Sequence, residues 1–63
     1  MAAYRVYFLN ERSRISDAED VEEASDAAAI ARAMTLLARH PVYRTFELWQ
    51  GCRAVRLIPR TRA

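Results

Sequence analysis

The sequence predicts an α+β domain: a two-layer sandwich with the element order β-β-α-β-β, in which one helix covers one face of a mostly antiparallel sheet. Three observations predict it. The first segment is dense in aromatic and β-branched residues, the middle is rich in alanine at helical spacing, and two strand-like segments flank Gln50-Gly51. With 63 residues, 52% of them hydrophobic and 29% charged, the chain has the length and composition of a single folded domain, residues 1–63.

The first strand is predicted at residues 4–9, because Tyr-Arg-Val-Tyr-Phe-Leu has a strand-forming composition and a polar, turn-prone cluster follows at residues 10–14. Successive side chains of a strand lie on opposite faces. Both faces of this strand are partly apolar, with Tyr4, Val6 and Phe8 on one and Arg5, Tyr7 and Leu9 on the other. The strand therefore needs cover on both sides, from the helix on one face and from another element or a second chain on the other.

The helix is predicted at residues 25–39, with Ser25 as the N-cap and Asp26 in the first turn, near the positive end of the helix dipole. The helix is expected to end before Pro41, since proline disfavours helical geometry at the residue that precedes it. Leu36 is expected to lie off the apolar stripe that faces the sheet. Helical spacing assigns six residues to that stripe: Ala27, Ile30, Ala31, Met34, Leu37 and Ala38.

Two local rules disagree over residues 15–24. Ser16-Asp17-Ala18-Glu19 matches a capping box, which favours one long helix from about residue 17 to about residue 39 and the order β-α-β-β. Ser25-Asp26, however, is a second helix-start signal inside that segment, and the crowded acids before it would repel one another as neighbours on a helix. These rules alone support a strand and a helix equally.

Two strands are predicted at residues 42–49 and 53–58. A hairpin turn joins them, in which Gly51 is expected to adopt a positive φ. Phe46, Leu48, Val55 and Leu57 are expected to face the helix. The opposite face is expected to carry Tyr43, Glu47 and Trp49, with Arg56 near Glu47 across the strands. Pro59 is expected to end the last strand, which leaves residues 59–63 as a loose basic tail.

Three stretches carry a resemblance: Tyr-Arg-Val-Tyr-Phe-Leu at residues 4–9, Ala-Ser-Asp-Ala-Ala-Ala-Ile-Ala at residues 24–31, and Glu-Leu-Trp-Gln-Gly-Cys-Arg at residues 47–53. Together they resemble a group of short uncharacterised proteobacterial proteins. The resemblance implies a second strand at residues 15–23 before a capped helix, which favours the β-β-α-β-β order. This chain differs in having Glu-Arg-Ser-Arg where the first turn of that group is expected to contain glycine. The resemblance implies no known activity.

No pattern in the sequence predicts a catalytic residue, a metal site or a cofactor. A single histidine, His40, and a single cysteine, Cys52, fall short of the four ligands of a structural zinc site, and nothing brings them together as base and nucleophile. The only glycine, Gly51, excludes a glycine-rich phosphate loop. The start of the chain and the lack of a long apolar run predict a cytoplasmic protein with no membrane segment. We therefore expect a protein that is not an enzyme.

Length and charge together predict association. A domain this short buries a small core, and without a disulfide or a structural metal it is expected to gain stability from a partner. Residues 1–31 contain seven acids and three arginines, whereas residues 32–63 contain seven arginines and one acid. The sequence thus predicts a homodimer or a protein-docking module that uses the uncovered sheet face, through Tyr7, Leu9, Tyr43 and Trp49.

The alternative function is nucleic-acid binding by the arginine-rich C-terminal hairpin and tail, with contacts from Arg53, Arg56, Arg60 and Arg62. These arginines, interleaved with aromatic residues, would combine phosphate contacts with base stacking. The homodimer is favoured over this alternative, because the acidic half of the chain would repel nucleic acid and the net charge is only +2.

Overall fold

A computed structural model describes residues 1–57, in which four strands and one helix form two layers. The elements follow along the chain as β1 (Ala2–Leu9), β2 (Ile15–Glu23), α1 (Asp26–Ala38), β3 (Thr45–Gln50) and β4 (Arg53–Arg56). The strands form one sheet in the order β2-β1-β3-β4, and every neighbouring pair is antiparallel. The predicted α+β class is therefore confirmed, while the predicted tail at residues 59–63 lies outside the described residues.

Residues 15–23 form a strand, so the alternative of one long helix from residue 17 is wrong. β2 pairs with β1 along its length except at Ser16, an extra residue between the positions that pair with Phe8 and Leu9. Its extended backbone divides the acids between the two faces of the sheet, whereas a helix would have placed them within one turn of each other. The helix begins after Ser25, which has extended backbone angles and accepts the backbone N–H of Ala28 on its hydroxyl oxygen at 3.1 Å. Ser25 is thus the N-cap, as predicted.

The helix packs on the sheet through Ala29, Ala33 and Leu36. Of the predicted apolar stripe, Ile30 and Leu37 are partly buried against the core, whereas the other four positions are exposed. Leu36 is only 7% exposed, whereas Met34, which the prediction placed against the sheet, is 54% exposed. Alanine lies on every side of this helix, and apolar spacing alone therefore defines more than one stripe. The buried face is the one on which two alanines allow close approach and one leucine fills the remaining space.

The core lies between the helix and one face of the sheet. The two central strands, β1 and β3, supply its largest completely buried side chains, Val6, Phe8 and Leu48. This confirms the predicted core face of β1. The buried cluster consists of Tyr4, Val6, Phe8, Val21, Ala29, Ala33, Leu36, Phe46 and Leu48.

The first turn is organised by an asparagine instead of a glycine. The carboxamide oxygen of Asn10 accepts hydrogen bonds from the backbone N–H groups of Arg12 at 2.8 Å and Arg14 at 3.2 Å. Ser13 adopts the left-handed conformation, with φ of 62°. Asparagine side chains stabilise turns by such local hydrogen bonds. In place of the expected glycine, this turn has backbone hydrogen bonds that the Asn10 side chain accepts.

The second hairpin turns at Gly51 and Cys52, which connect β3 to β4. Gly51 has φ of 61° and Cys52 does not have a positive φ, which is the pattern of a type II′ turn. The predicted role of Gly51 is therefore confirmed. The two strands are shorter than the sequence predicted, and Leu57 is 49% exposed instead of facing the helix.

β4 contains an irregularity that redirects its side chains. Val55 is an extra residue between two β4 positions that pair with neighbouring residues of β3. A bulge of this kind bends a strand and changes where its side chains point. Val55 packs against the core, and the guanidinium carbon of Arg56 lies 5.8 Å from the centre of the Phe46 ring. The predicted position of Arg56 beside Glu47 is therefore wrong.

The buried face of the helix can be tested with two substitutions. We expect Leu36→Ala to lower the free energy of unfolding by about 2 to 4 kcal/mol, because it leaves a cavity in the core. Met34→Ala removes a similar volume from the exposed face of the same helix and should cost less than about 0.5 kcal/mol. Urea unfolding followed by circular dichroism measures both values. Equal losses in the two variants would contradict the observed helix orientation.

Candidate functional site

The face of the sheet opposite α1, which we call the open face, is the candidate site. Alternation along each strand and the pairing register identify its residues. They are Ala3, Arg5, Tyr7 and Leu9 of β1, Ala18, Asp20 and Glu22 of β2, Thr45, Glu47 and Trp49 of β3, and Ala54 of β4. The helix makes its contacts with the sheet through the other set of residues, and no element of residues 1–57 covers the open face.

An ion pair joins β1 and β2 on the open face. The Arg5 guanidinium donates to both carboxylate oxygens of Asp20, from Nε at 2.7 Å and from Nη2 at 3.2 Å. Hydrogen bonding from Arg5 holds the pKa of Asp20 below its usual value, and the Arg5 pKa is raised mainly by the same bonds. Both side chains are more than half exposed. Such a pair adds little to stability, but it leaves donors and acceptors available at the surface.

Trp49 lies next to this ion pair on the neighbouring strand. In the pairing of β1 with β3, Trp49 is opposite Arg5 and Glu47 is opposite Tyr7. The indole Nε1 of Trp49 donates to Glu47 Oε1 at 3.2 Å. Both Trp49 and Tyr7 are half-buried, each leaving part of its ring on the surface. The centre of the open face thus combines two aromatic rings with side chains of both charges.

The open face has a shallow depression beside β2. It is lined by Arg5, Tyr7 and Asp20, with Glu22 on one side and Gly51 of the second hairpin turn at its end. The far end of the face is more apolar, since Leu9 pairs with Ile15, whose side chain is 58% exposed. The sequence analysis did not single out Ile15 or the ion pair, because each depends on which residues face one another across the strands.

Tyr43 does not belong to the open face, so its predicted position beside Glu47 and Trp49 is wrong. Its ring stacks on Phe8 in the core layer, with ring centres 5.1 Å apart and planes inclined by 15°. Its hydroxyl donates to Asp17 Oδ2 at 3.2 Å, and its pKa is raised, first by burial and then by this carboxylate. The reason is that β3 begins only at Thr45, and alternation does not extend to residues before it. By register, Tyr7, Leu9 and Trp49 lie on the open face, but Leu9 is only 6% exposed, so the surface there comes from Tyr7 and Trp49.

Asp26, at the start of the helix, joins three elements. Its Oδ1 accepts the Tyr4 hydroxyl at 2.8 Å, and Arg53 of β4 donates to both of its oxygens, at 2.9 and 3.2 Å. Arg53 also donates from Nε to Gln50 Oε1 at 3.1 Å. The pKa of Asp26 is lowered, first by Arg53 and then by Tyr4, while that of Tyr4 is raised, first by its hydrogen bond to Asp26. This group fastens the helix and β4 to the central strand.

The arginines of the nucleic-acid alternative do not share a surface with the open-face aromatic residues. Arg53 is engaged by Asp26, and Arg56 lies over Phe46, which is itself buried. Both arginines are on the helix side of the sheet. Arg60 and Arg62 lie outside the described residues.

The two residues with nucleophile or base chemistry lie at opposite ends of the sheet. His40 follows the helix and contacts Phe8, with ring centres 6.0 Å apart, whereas Cys52 is exposed in the second hairpin turn. Within residues 1–57, no three histidine, cysteine or acidic side chains are grouped to hold a metal ion. In the same range, no helix has the length and apolar content needed to cross a membrane.

Comparison with known proteins leaves the geometry as the basis for assigning function. No protein-family model matches the chain, and searches of curated proteins and of solved structures found no significant match. The resemblance to the proteobacterial group stays a prediction. The fold and the site define a small α+β protein with one face of its sheet open and amphipathic.

The hydrogen bonds to Asp26 predict a specific loss of stability in acid. Because the folded-state pKa of Asp26 is lowered, its contribution is complete above its unfolded pKa, about 3.9, and disappears as the pH falls through the folded value. Wild type should therefore be more stable than Asp26→Asn near neutral pH, and the difference should shrink below about pH 4. Urea unfolding measured across this pH range tests the prediction.

The opposite sign applies to the titration of Tyr4 itself. Its pKa is raised in the folded protein, so its contribution is complete below about pH 10 and is lost as the pH rises further. Because the Tyr4 hydroxyl is also the second cause of the lowered Asp26 pKa, the difference between wild type and Tyr4→Phe should shrink below about pH 4 as well, but by less than the difference for Asp26→Asn. If Asp26→Asn and wild type lose stability in parallel on acidification, the hydrogen-bonded group described above does not form in solution.

Proposed function

We propose that this protein is a non-enzymatic homodimerising module in which the open face of one copy packs against the open face of another. The observation that carries the proposal is that the helix covers one face of the sheet, while the half-buried rings of Tyr7 and Trp49 lie on the other. Ile15 adds an exposed aliphatic side chain to the end of this face. Aromatic and aliphatic side chains at the centre of a surface are typical of interfaces between proteins.

The open face carries charges of both signs, with one base, Arg5, and three acids, Asp20, Glu22 and Glu47. In a two-fold symmetric dimer the same surface meets itself, so Arg5 of each copy can meet an acid of the other. The excess of acids opposes close contact between two copies, and the aromatic and aliphatic side chains of the face have to outweigh it.

The size of the domain gives a reason for association. A chain of about 60 residues buries about 60% of the surface that it exposes when unfolded, which leaves a small margin of stability. Among residues 1–57 the only cysteine is Cys52, so the fold has no internal disulfide to add to that margin. Covering the open face would bury Trp49 and Tyr7 more fully and add apolar contact area.

Nucleic-acid binding receives less support. A stacking platform needs exposed aromatic rings with arginines beside them. Here Phe46 is buried, Tyr43 is stacked on Phe8, and the indole N–H of Trp49 is bonded to Glu47. The carboxylates that engage Arg5 and Arg53 would also compete with phosphate for these arginines.

The test is the mass of the protein in solution across a wide range of concentration. Sedimentation equilibrium is expected to show a monomer–dimer equilibrium, and the emission of the only tryptophan, Trp49, is expected to move to shorter wavelength as the dimer forms. Trp49→Ala should weaken dimerisation by about 30-fold or more, which is the size of effect found at interface hot spots. Tyr7→Ala should weaken it to a smaller degree.

Val42→Ala is the matched control. Val42 is 76% exposed, but it lies in the connection before β3 and not on the open face. Its loss should leave the dimerisation constant unchanged, and urea unfolding of each variant checks that the fold is retained. A chain that stays monomeric at every concentration, with constant Trp49 emission, would refute the proposed function.

A further inference from the structure

We propose that the outer edge of β2 binds an extended, basic segment of another protein, which adds to the sheet as a further strand. β2 is the first strand in the order β2-β1-β3-β4, so within residues 1–57 only one of its two edges is paired. The other edge presents backbone N–H and C=O groups to which an extended peptide can bond. Binding there uses backbone groups at the rim of the sheet and does not depend on the proposed homodimer.

The pairing register identifies the backbone groups of β2 that point outwards. In an antiparallel ladder, alternate residues bond to one neighbouring strand and the residues between them are directed the other way. The backbone oxygen of Leu9 accepts the N–H of Arg44 at 2.8 Å, so the odd-numbered residues of β1 are directed towards β3 and the even-numbered residues towards β2. The residues of β2 that lie opposite the odd-numbered ones are therefore directed away from the sheet. They are Ala18, Asp20 and Glu22.

One local hydrogen bond agrees with this assignment. The N–H of Ala18 donates to Asp17 Oδ1 at 2.8 Å, as expected of a backbone group with no strand beyond it. Among the described residues, the N–H groups of Asp20 and Glu22 have no such acceptor, and both residues are exposed. The pairing of β2 with β1 is irregular only at Ser16, so this part of the strand is straight enough to pair again. The open part of the edge therefore extends from Ala18 to Glu22.

The charges of β2 determine which strand can bind. β2 contains five acids and no base. Three of the acids are engaged within residues 1–57: Asp17 by Tyr43, Asp20 by Arg5 and Glu23 by Arg32. Glu19 and Glu22 have no ion pair there, and both are exposed. Side chains that face one another on neighbouring strands are about 5 Å apart, so a basic strand would be attracted and a second copy of β2 repelled.

The two free glutamates also predict a spacing in the bound segment. Glu19 is opposite Val6 on the helix side of the sheet, whereas Glu22 is opposite Ala3 on the open face. The positions that face them on an added strand would likewise be three residues apart and on opposite faces. The bound segment is therefore expected to have arginine or lysine at two positions with two residues between them.

A synthetic peptide with that spacing is the probe. It is a capped, eight-residue peptide of alternating valine and threonine, with arginine at two positions three apart. Isothermal titration calorimetry with the complete chain is expected to show binding that weakens as salt is added. In nuclear magnetic resonance spectra, exchange of the backbone N–H groups of Asp20 and Glu22 with solvent should slow in the complex, because they become hydrogen-bonded. A peptide of the same sequence with methylated backbone nitrogens has the same charge and should not bind.

Substitutions in the chain separate the backbone contribution from the charges. Glu22→Pro removes an N–H that makes no bond to β1 and places a proline ring at the edge, so it should weaken binding by about tenfold or more. Glu19→Gln and Glu22→Gln should each weaken it by about two- to fivefold, which is the size expected for an exposed ion pair. Glu11→Gln is the matched control, since Glu11 is an exposed acid in the first turn. Urea unfolding checks that each variant keeps its fold.

Three outcomes would overturn the proposal: no binding at low salt, equal binding of the methylated peptide, or equal losses in Glu11→Gln and Glu22→Gln. The second and third would mean that the chain attracts any basic peptide through its overall charge. Sedimentation equilibrium without peptide measures the homodimer separately, so failure at the edge of β2 leaves the proposed function standing. A monomeric chain that binds the peptide through Asp20 and Glu22 would instead refute the homodimer and support the edge site.

Discussion

The structure depends on one constraint: within residues 1–57 a single helix of 13 residues provides the cover for a four-stranded sheet. Such a helix packs on one face only. Two alanines, Ala29 and Ala33, are completely buried where the helix lies on the sheet, and close approach there lets Val6 and Leu48 be fully enclosed. No second element of the described residues covers the other face, where aromatic rings lie beside charged side chains.

Asp26 explains how so short a chain keeps its outer strand in place. β4 has four residues and a bulge, and such a strand is held weakly by backbone hydrogen bonds alone. Arg53 at its start is bonded to Asp26 at the start of the helix, and Asp26 is also bonded to Tyr4 of the central strand. Because these bonds lie on the helix side, they fix β4 without using any group of the open face. The open face is therefore free to meet a partner without loss of the contacts that maintain the fold.

The fold could be predicted from the sequence where one residue decides one feature, and not where two distant residues must be matched. Ser25 starts the helix and Gly51 turns the hairpin, since each acts through its own backbone or side chain. The position of Tyr43 could not be predicted, because it depends on where β3 begins. The side of the helix that is buried could not be predicted either, because it depends on how the helix packs on the sheet. Leu36 is buried there and Met34 is exposed. On the site, alternation identified Tyr7, Leu9 and Trp49, but the ion pair of Arg5 with Asp20 required the register.

The edges of the sheet connect these observations to the proposed dimer. β2 is an edge strand of nine residues, long enough to attract another strand, and its acids protect it, since two copies of β2 would repel one another. The opposite edge strand, β4, is short and is interrupted by the bulge at Val55, and both features discourage pairing with another strand. With both edges protected from growth into longer sheets, the open face is where the proposed association would take place.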